Sequence, residues 1–182
     1  MKKTAMLFAE GFEEVEALTV VDLLRRADVV CDIVAVADAD EIAGAHGIVV
    51  RADRRFAGLD LGDYDALLLP GGQPGTNNLA ADGRVADALR AFHAAGKLTA
   101  AICAAPTVLA KAGLLEGKEA VCYPTLEGKL TGARIGSGPV AVDGTIITSR
   151  GVGTAIPFAL ALVEYLDSAA RAEELAKSIV YR

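Results

Sequence analysis

The sequence predicts an α/β fold in which a mostly parallel sheet is sandwiched between helices on both faces. Three observations carry this. Short apolar runs, β-branched or leucine-rich, alternate with stretches of helical periodicity along the whole chain. A hydrophobic content of 53% over 182 residues is ample for a large core. No linker, repeat or low-complexity block interrupts the pattern, so residues 1–182 read as a single domain.

The elements follow in order. "TAMLFA" (Thr4–Ala9) reads as a buried strand, and Glu14–Ala27 places apolar residues at helical spacing. "VVCDIVAVA", "GIVVRA" and "ALLLP" are strand-like, the last running into "GGQPGTN". Asp82–Ala95 is helical, with Val85, Ala88, Leu89 and Phe92 on one face. "LTAAIC" is a further strand, followed by a helix over Ala104–Ala112 and a short strand around Ala120–Tyr123. In "VAVDGTIITS", Asp143-Gly144 between alternating apolar residues predicts a hairpin with a type I′ turn. Pro157–Leu166 and Ala169–Val180 close the pattern as helices.

Charge and cysteine usage exclude several classes of function. The net charge is −6 and no dense Lys/Arg block occurs, so no sequence-specific nucleic-acid binding and no anionic-membrane binding is expected. The opening "MKKTAMLFAEGFEEVE" imitates a signal peptide, but Glu10, Glu13, Glu14 and Glu16 cut its apolar run short. The longest charge-free runs fall short of the ~18 residues of a membrane span. Three widely spaced cysteines without a CxxC pair suit free thiols in a reducing cytoplasm better than disulfides or zinc.

In open α/β sheets, ligands collect beyond the carboxyl ends of the strands. Four loops leave such ends: "EGFEEVE", "GGQPGTN", "CAAPT" and "SRGVGT". Three are glycine-rich, which lets backbone amides approach a bound group. Cys103 stands where a strand meets a helix, over first-turn amides whose partial positive charge favours a thiolate. Pro106 fits the first turn because its missing N–H costs nothing there, and Ala104 and Ala105 permit a sharp turn. Cys31 and Cys122 lie in strand-like runs and read as buried packing residues. The two histidines, His46 and His93, both precede Cys103 and neither adjoins it, which argues against a Cys-His hydrolase. That leaves the acidic loop. A carboxyl buried beside the thiol would have a raised pKa and could move protons near neutrality. Glu10, Glu13 and Glu14 read as solvated; Glu16 lies on a different helix face from Glu14, and periodicity alone leaves open which of the four points inward.

The motifs "GFEEVEA", "YDALLLPGG", "AAICAAPTVLA", "YPTLEGKL" and "TSRGVGTAIPFALALVE", in that order, resemble the ThiJ/PfpI superfamily, in the branch of the Parkinson-disease protein deglycase and bacterial YajL. The resemblance spans essentially the whole chain. It implies a flavodoxin-like fold and a homodimer, with His46 near the interface between copies. It also places Cys103 on the reactive cysteine and Glu16 on the protonated glutamate bonded to it. Gly72 and Ala104 would supply oxyanion-hole amides, with Gly71 completing the Gly-Gly turn. No metal or cofactor is implied. Two departures stand out. The branch often carries a histidine before the proline at Pro124, where this chain has Tyr123, a phenol that could donate a hydrogen bond to a substrate oxygen or serve equally as half-buried packing. The protease branch has a histidine after the cysteine, where this chain has Ala104.

The expected function is therefore a cofactor-free cysteine enzyme acting on a small α-oxoaldehyde such as methylglyoxal, or on an early glycation adduct of a protein (glyoxalase III or deglycase-like). The alternative is a redox-responsive stress protein or chaperone using the same cysteine. A cysteine peptidase is disfavoured by Ala104.

Overall fold

The computed structural model describes residues 1–181. Its strands are β1 (Lys3–Phe8), β2 (Val30–Ala35), β3 (Glu41–Ala43), β4 (Val49–Arg51), β5 (Arg54–Arg55), β6 (Ala66–Leu69), β7 (Leu98–Ile102), β8 (Glu119–Ala120), β9 (Arg134–Ile135), β10 (Val140–Asp143) and β11 (Ile146–Ser149). Its helices are α1 (Glu14–Arg26), α2 (Gly75–Ala81), α3 (Gly83–Ala94), α4 (Pro106–Lys111), α5 (Ala155–Leu166) and α6 (Ala169–Ser178).

Seven strands form the main sheet in the order β10-β11-β7-β6-β1-β2-β5, all parallel except the edge strand β10. Counted in chain order, its five longer parallel strands lie 2-1-3-4-5, the flavodoxin arrangement. The central strands are apolar on both sides because helices cover both faces. Met6, Phe8, Leu68 and Ile102 pack in one layer with Leu24, Phe158 and Leu162 of α1 and α5. Ala5, Leu7, Leu67 and Leu69 pack in the other with Leu89, Phe92 and Leu109 of α3 and α4.

Several local expectations are corrected. "GIVVRA" forms β4, but it pairs with β3 in a separate two-stranded hairpin rather than joining the main sheet. The expected strand at Ala120–Tyr123 is reduced to β8, because Tyr123 leaves to cap a 3-10 turn over Pro124–Lys129. The β10–β11 hairpin pairs Asp143 with Ile146, so its two loop residues are Gly144 and Thr145, and Gly144 alone takes a positive φ (64°). Glycine in the first loop position fits a type II′ turn rather than I′. The helix expected from Ala104 begins at Pro106, because residues 103–105 are used in the turn itself. Among the described residues, no helix is long and apolar enough to cross a membrane.

Phe158 of α5 is fully buried between α1 and the sheet. Phe158→Ala is expected to cost about 3–5 kcal/mol of folding stability through lost transfer energy and the cavity left behind. Urea unfolding of the purified variant measures this; a cost below about 1 kcal/mol would contradict the packing described.

Candidate functional site

Glu16, Gly71, Gly72 and Cys103 converge because β1, β6 and β7 are neighbours and each delivers a loop to the same sheet edge. The first two flank the point where the strand order reverses, the usual ligand crevice of this topology. The chain turns sharply at Cys103, whose φ of 63° is rare for a residue with a side chain. That turn is fixed from both sides. The Cys103 N–H donates to the Ser149 carbonyl at 3.0 Å, and the Cys103 carbonyl accepts from the Tyr123 N–H at 2.8 Å. Such strain is tolerated where the surroundings over-determine it.

Glu16 is completely buried in the first turn of α1. Its Oε2 accepts the Gly71 N–H at 3.1 Å, while Oε1 is buried without a well-aligned partner. Gly71 has no room for a side chain, since a Cβ there would lie 2.5 Å from the Cys103 Cβ and 2.6 Å from Glu16 Oε2. Gly151 covers the other side. A Cβ on it would stand 3.8 Å from Glu16 Oε1 and 4.0 Å from Cys103 Sγ, with the Tyr123 ring at 3.7 Å. Oε1 and Sγ thus share one small space.

Burial pushes the Glu16 carboxyl up to about 7 against a pull downward from its hydrogen bonds with Cys103 and Gly71. Burial also pushes the Cys103 thiol up, to about 12 when an ionised Glu16 adds its charge; the Ala104 and Gly72 amides act the other way. The expectation of a thiol lowered by helix-terminal amides is therefore corrected: burial and the charge of Glu16 outweigh those amides and leave the Cys103 thiol raised. The two groups titrate as one unit. The pair gives up its first proton by about pH 7 and holds its second far into the alkaline range. A single negative charge is better solvated on sulfur. There it meets two N–H groups and the carboxyl O–H, whereas on the carboxylate it meets one N–H and a weak S–H donor. We propose on this ground that the charge sits on sulfur and that Glu16 carries the remaining proton.

Gly72, Cys103, Ala104, Tyr123, Thr125 and Leu126 line an open pocket of about 360 Å³ over Sγ. A larger cleft lined by Phe56, Leu59 and Arg84, about 620 Å³, holds no nucleophile. The same constellation is embedded in a recognisable chain. Residues 2–165 match the DJ-1/PfpI family. The chain belongs to the DJ-1/PfpI family. It is 36% identical to Protein dj-1beta of Drosophila melanogaster over 99% of this chain and 98% of that one. It is 31% identical to the Parkinson disease protein 7 homolog of Danio rerio over 100% of this chain and 98% of the other. The structure of oxidized Toxoplasma gondii DJ-1 superposes with a TM-score of 0.96 at 35% identity, covering 100% of this chain and 99% of that one.

All six residues singled out in this DJ-1/PfpI sequence (Glu16, Gly71, Gly72, Cys103, Ala104 and Tyr123) lie around Sγ or the pocket above it. Tyr123 is half exposed on the pocket wall. Cys31 and Cys122 are buried, and His93 is exposed at the end of α3. Glu14 corrects the sequence reading. Far from solvated, it is 2% exposed, because the β3–β4 hairpin folds over the start of α1. Its carboxylate accepts the His46 N–H at 2.6 Å and meets His46 Nδ1 at 2.8 Å. Burial raises the Glu14 pKa, but the hydrogen bonds from His46 and Ile48 outweigh it and leave it lowered; the bond to Glu14 raises His46. Glu13, Glu14 and His46 offer ligand atoms within 4.8 Å of one another, yet the Glu14 oxygens are already committed to the hairpin. Gly151 escaped the sequence reading. Its only signal was membership in the "SRGVGT" loop at the same sheet edge.

The proton held by the pair has a stability signature. An unfolded glutamate releases its proton near 4.5, the folded pair only near 7, so the folded chain binds more protons between those values. The linked stability is full below pH 4.5 and is lost as pH rises through about 7. Over that window the wild type should lose on the order of 3 kcal/mol relative to Glu16→Gln. Urea unfolding of both proteins across the window measures it; parallel pH profiles would refute the shared proton.

Proposed function

We propose that this DJ-1-like stress protein or enzyme is a cofactor-free, cysteine-dependent catalyst acting on α-oxoaldehydes such as methylglyoxal, of the glyoxalase III or deglycase type. The observation that carries the reading is the enclosed pairing of Cys103 with a protonatable Glu16 beneath an open pocket bordered by two amides. Neither the Gly72 nor the Ala104 N–H has another hydrogen-bond partner among the described residues.

The steps balance without an external oxidant. The Cys103 thiolate adds to the aldehyde carbon, and the carbonyl π electrons move to oxygen. The Gly72 and Ala104 amides stabilise that oxyanion, a contribution of ~3–4 kcal/mol per donor in comparable sites. Glu16 protonates it to give a hemithioacetal. As a carboxylate, Glu16 then takes the proton from the same carbon and returns it to the adjacent one. The hemithioacetal hydroxyl gives its proton to the former ketone oxygen, so the ketone becomes a hydroxyl while the aldehyde carbon becomes a thioester. Water hydrolyses the thioester to the hydroxy acid and restores the thiolate. A carboxyl with a pKa of about 7 suits both directions of transfer.

A second reading has its own support. Cys103 is the one cysteine not fully buried, and a thiolate so placed is open to peroxide. Redox sensing or chaperoning through Cys103 would need no turnover. For assembly we propose a homodimer, supported by Val15, Ile48 and Val49, which stand 49%, 53% and 57% exposed near the start of α1 and on the β3–β4 hairpin.

Cys103→Ser is expected to abolish lactate formation from methylglyoxal with the fold intact, while Cys31→Ala and Cys122→Ala retain it. Near-native turnover by Cys103→Ser would eliminate the mechanism. In the wild type, kcat/KM should rise with pH to a plateau above about 7, as the pair loses its first proton; a profile falling through neutrality would exclude thiolate attack. Light scattering should return a dimer for the wild type and a monomer for Val49→Asp. A wild-type monomer at micromolar concentration would remove the dimer.

A further inference from the structure

One wall of the pocket is fastened by a residue that the proposed chemistry does not use. The 3-10 segment Pro124–Lys129 supplies Thr125 and Leu126 to the pocket, forming its outer lip. Among the described residues, a single side-chain hydrogen bond ties this segment to the rest of the chain. Glu127 Oε1 accepts from Arg150 at 2.9 Å.

Arg150 is well placed to act as the anchor. Its backbone belongs to the floor of the site: its N–H donates to Thr154 Oγ1 at 3.2 Å, it follows Ser149, whose carbonyl holds the Cys103 turn, and it precedes Gly151, which covers Cys103 and Glu16. The side chain leaves that floor and spreads three ways. Nε donates to the Gly138 carbonyl at 2.9 Å, one terminal nitrogen to the Gly136 carbonyl at 2.8 Å, and the other to Glu127. The carbonyl bonds hold the planar guanidinium in one orientation, so its remaining edge is already aimed when Glu127 arrives. Both side chains are mostly sheltered, 23% and 33% exposed, so solvent weakens this pair less than an ordinary surface pair.

We propose that the Glu127–Arg150 ion pair is a latch that holds the lip over Cys103, so that the site admits small α-oxoaldehydes and resists bulky ones such as glycated side chains of folded proteins. Its use in selecting substrates rests on the reading given above; its control of access to Sγ does not. Glu127 and Arg150 are positioning residues. They act on the pocket through the lip and the floor, and neither lines it.

Glu127→Ala breaks the latch and leaves the carbonyl bonds of Arg150 in place, and Glu127→Gln keeps an acceptor of the same shape without the charge. The readout is the rate of Cys103 alkylation by iodoacetamide and by a fluorescein-bearing maleimide, followed by peptide mass spectrometry, with buried Cys31 and Cys122 as internal references. In Glu127→Ala the maleimide rate should rise about tenfold, equivalent to about 1.4 kcal/mol of lip closure, with the iodoacetamide rate nearly unchanged and Glu127→Gln in between. With turnover, KM for phenylglyoxal should fall relative to that for methylglyoxal while kcat for methylglyoxal changes little. An unchanged ratio of the two alkylation rates, or an equal rise in both, overturns the latch. A wild type that turns over no α-oxoaldehyde would sink the catalytic reading instead, and the alkylation ratio would still decide whether the lip is latched.

Discussion

A thiol and a carboxyl forced into one confined space can hold a single negative charge between them but not two, and the rest of the site is arranged around that constraint. Glu16 is buried without a cationic partner, so its ionisation is opposed by burial and by any charge already on Cys103. The opposition is only partly relieved by the Gly71 amide. In the proposed arrangement the charge is displaced toward sulfur, where the Gly72 and Ala104 amides and the remaining proton of Glu16 solvate it. A buried carboxyl that would otherwise be a liability is, in that proposal, the donor that keeps a thiolate at neutral pH.

The fold meets the geometric demand by subtraction. Sγ and the carboxyl can share their space only because Gly71 and Gly151 leave it empty of side chains. The strained turn at Cys103 lifts Sγ out of the β7 register toward the helix-side amides. Parallel strand order does the remainder, since β1, β6 and β7 end together and each contributes one component. Outside this centre the wall is less rigidly built. Residues 124–129 are held by local turns, the packing of Leu126 against the core and one ion pair, which suits a surface that decides what may enter more than what may react.

Much of this was legible in the sequence, for identifiable reasons. Unbroken runs such as Ala66–Leu69 mark strands covered on both faces, and the alternation with amphipathic helices leaves few topologies. Cys103 was conspicuous as a cysteine at a strand-to-helix junction, and the glycine loops marked the correct sheet edge. What stayed hidden depends on contacts distant in sequence. Glu14 read as solvated because the hairpin that buries it lies some thirty residues onward, with His46 at a sequence separation of 32. α2 was missed because Gly75, Thr76, Asn77 and Asn78 are poor helix formers whose helix depends on tertiary packing. Gly151 and Arg150 carry no local signature beyond membership in the "SRGVGT" loop, and their importance comes from what they face.

Cys103 and Glu16 are proposed to share one proton, with the charge on sulfur. The most direct test is an ultraviolet thiolate titration of the Cys31→Ala/Cys122→Ala protein, in which Cys103 is the only thiol. The account predicts close to one thiolate per chain by about pH 8, with Glu16→Ala altering the titration. A protein that shows no thiolate until strongly alkaline pH, with the same curve in Glu16→Ala, would contradict it.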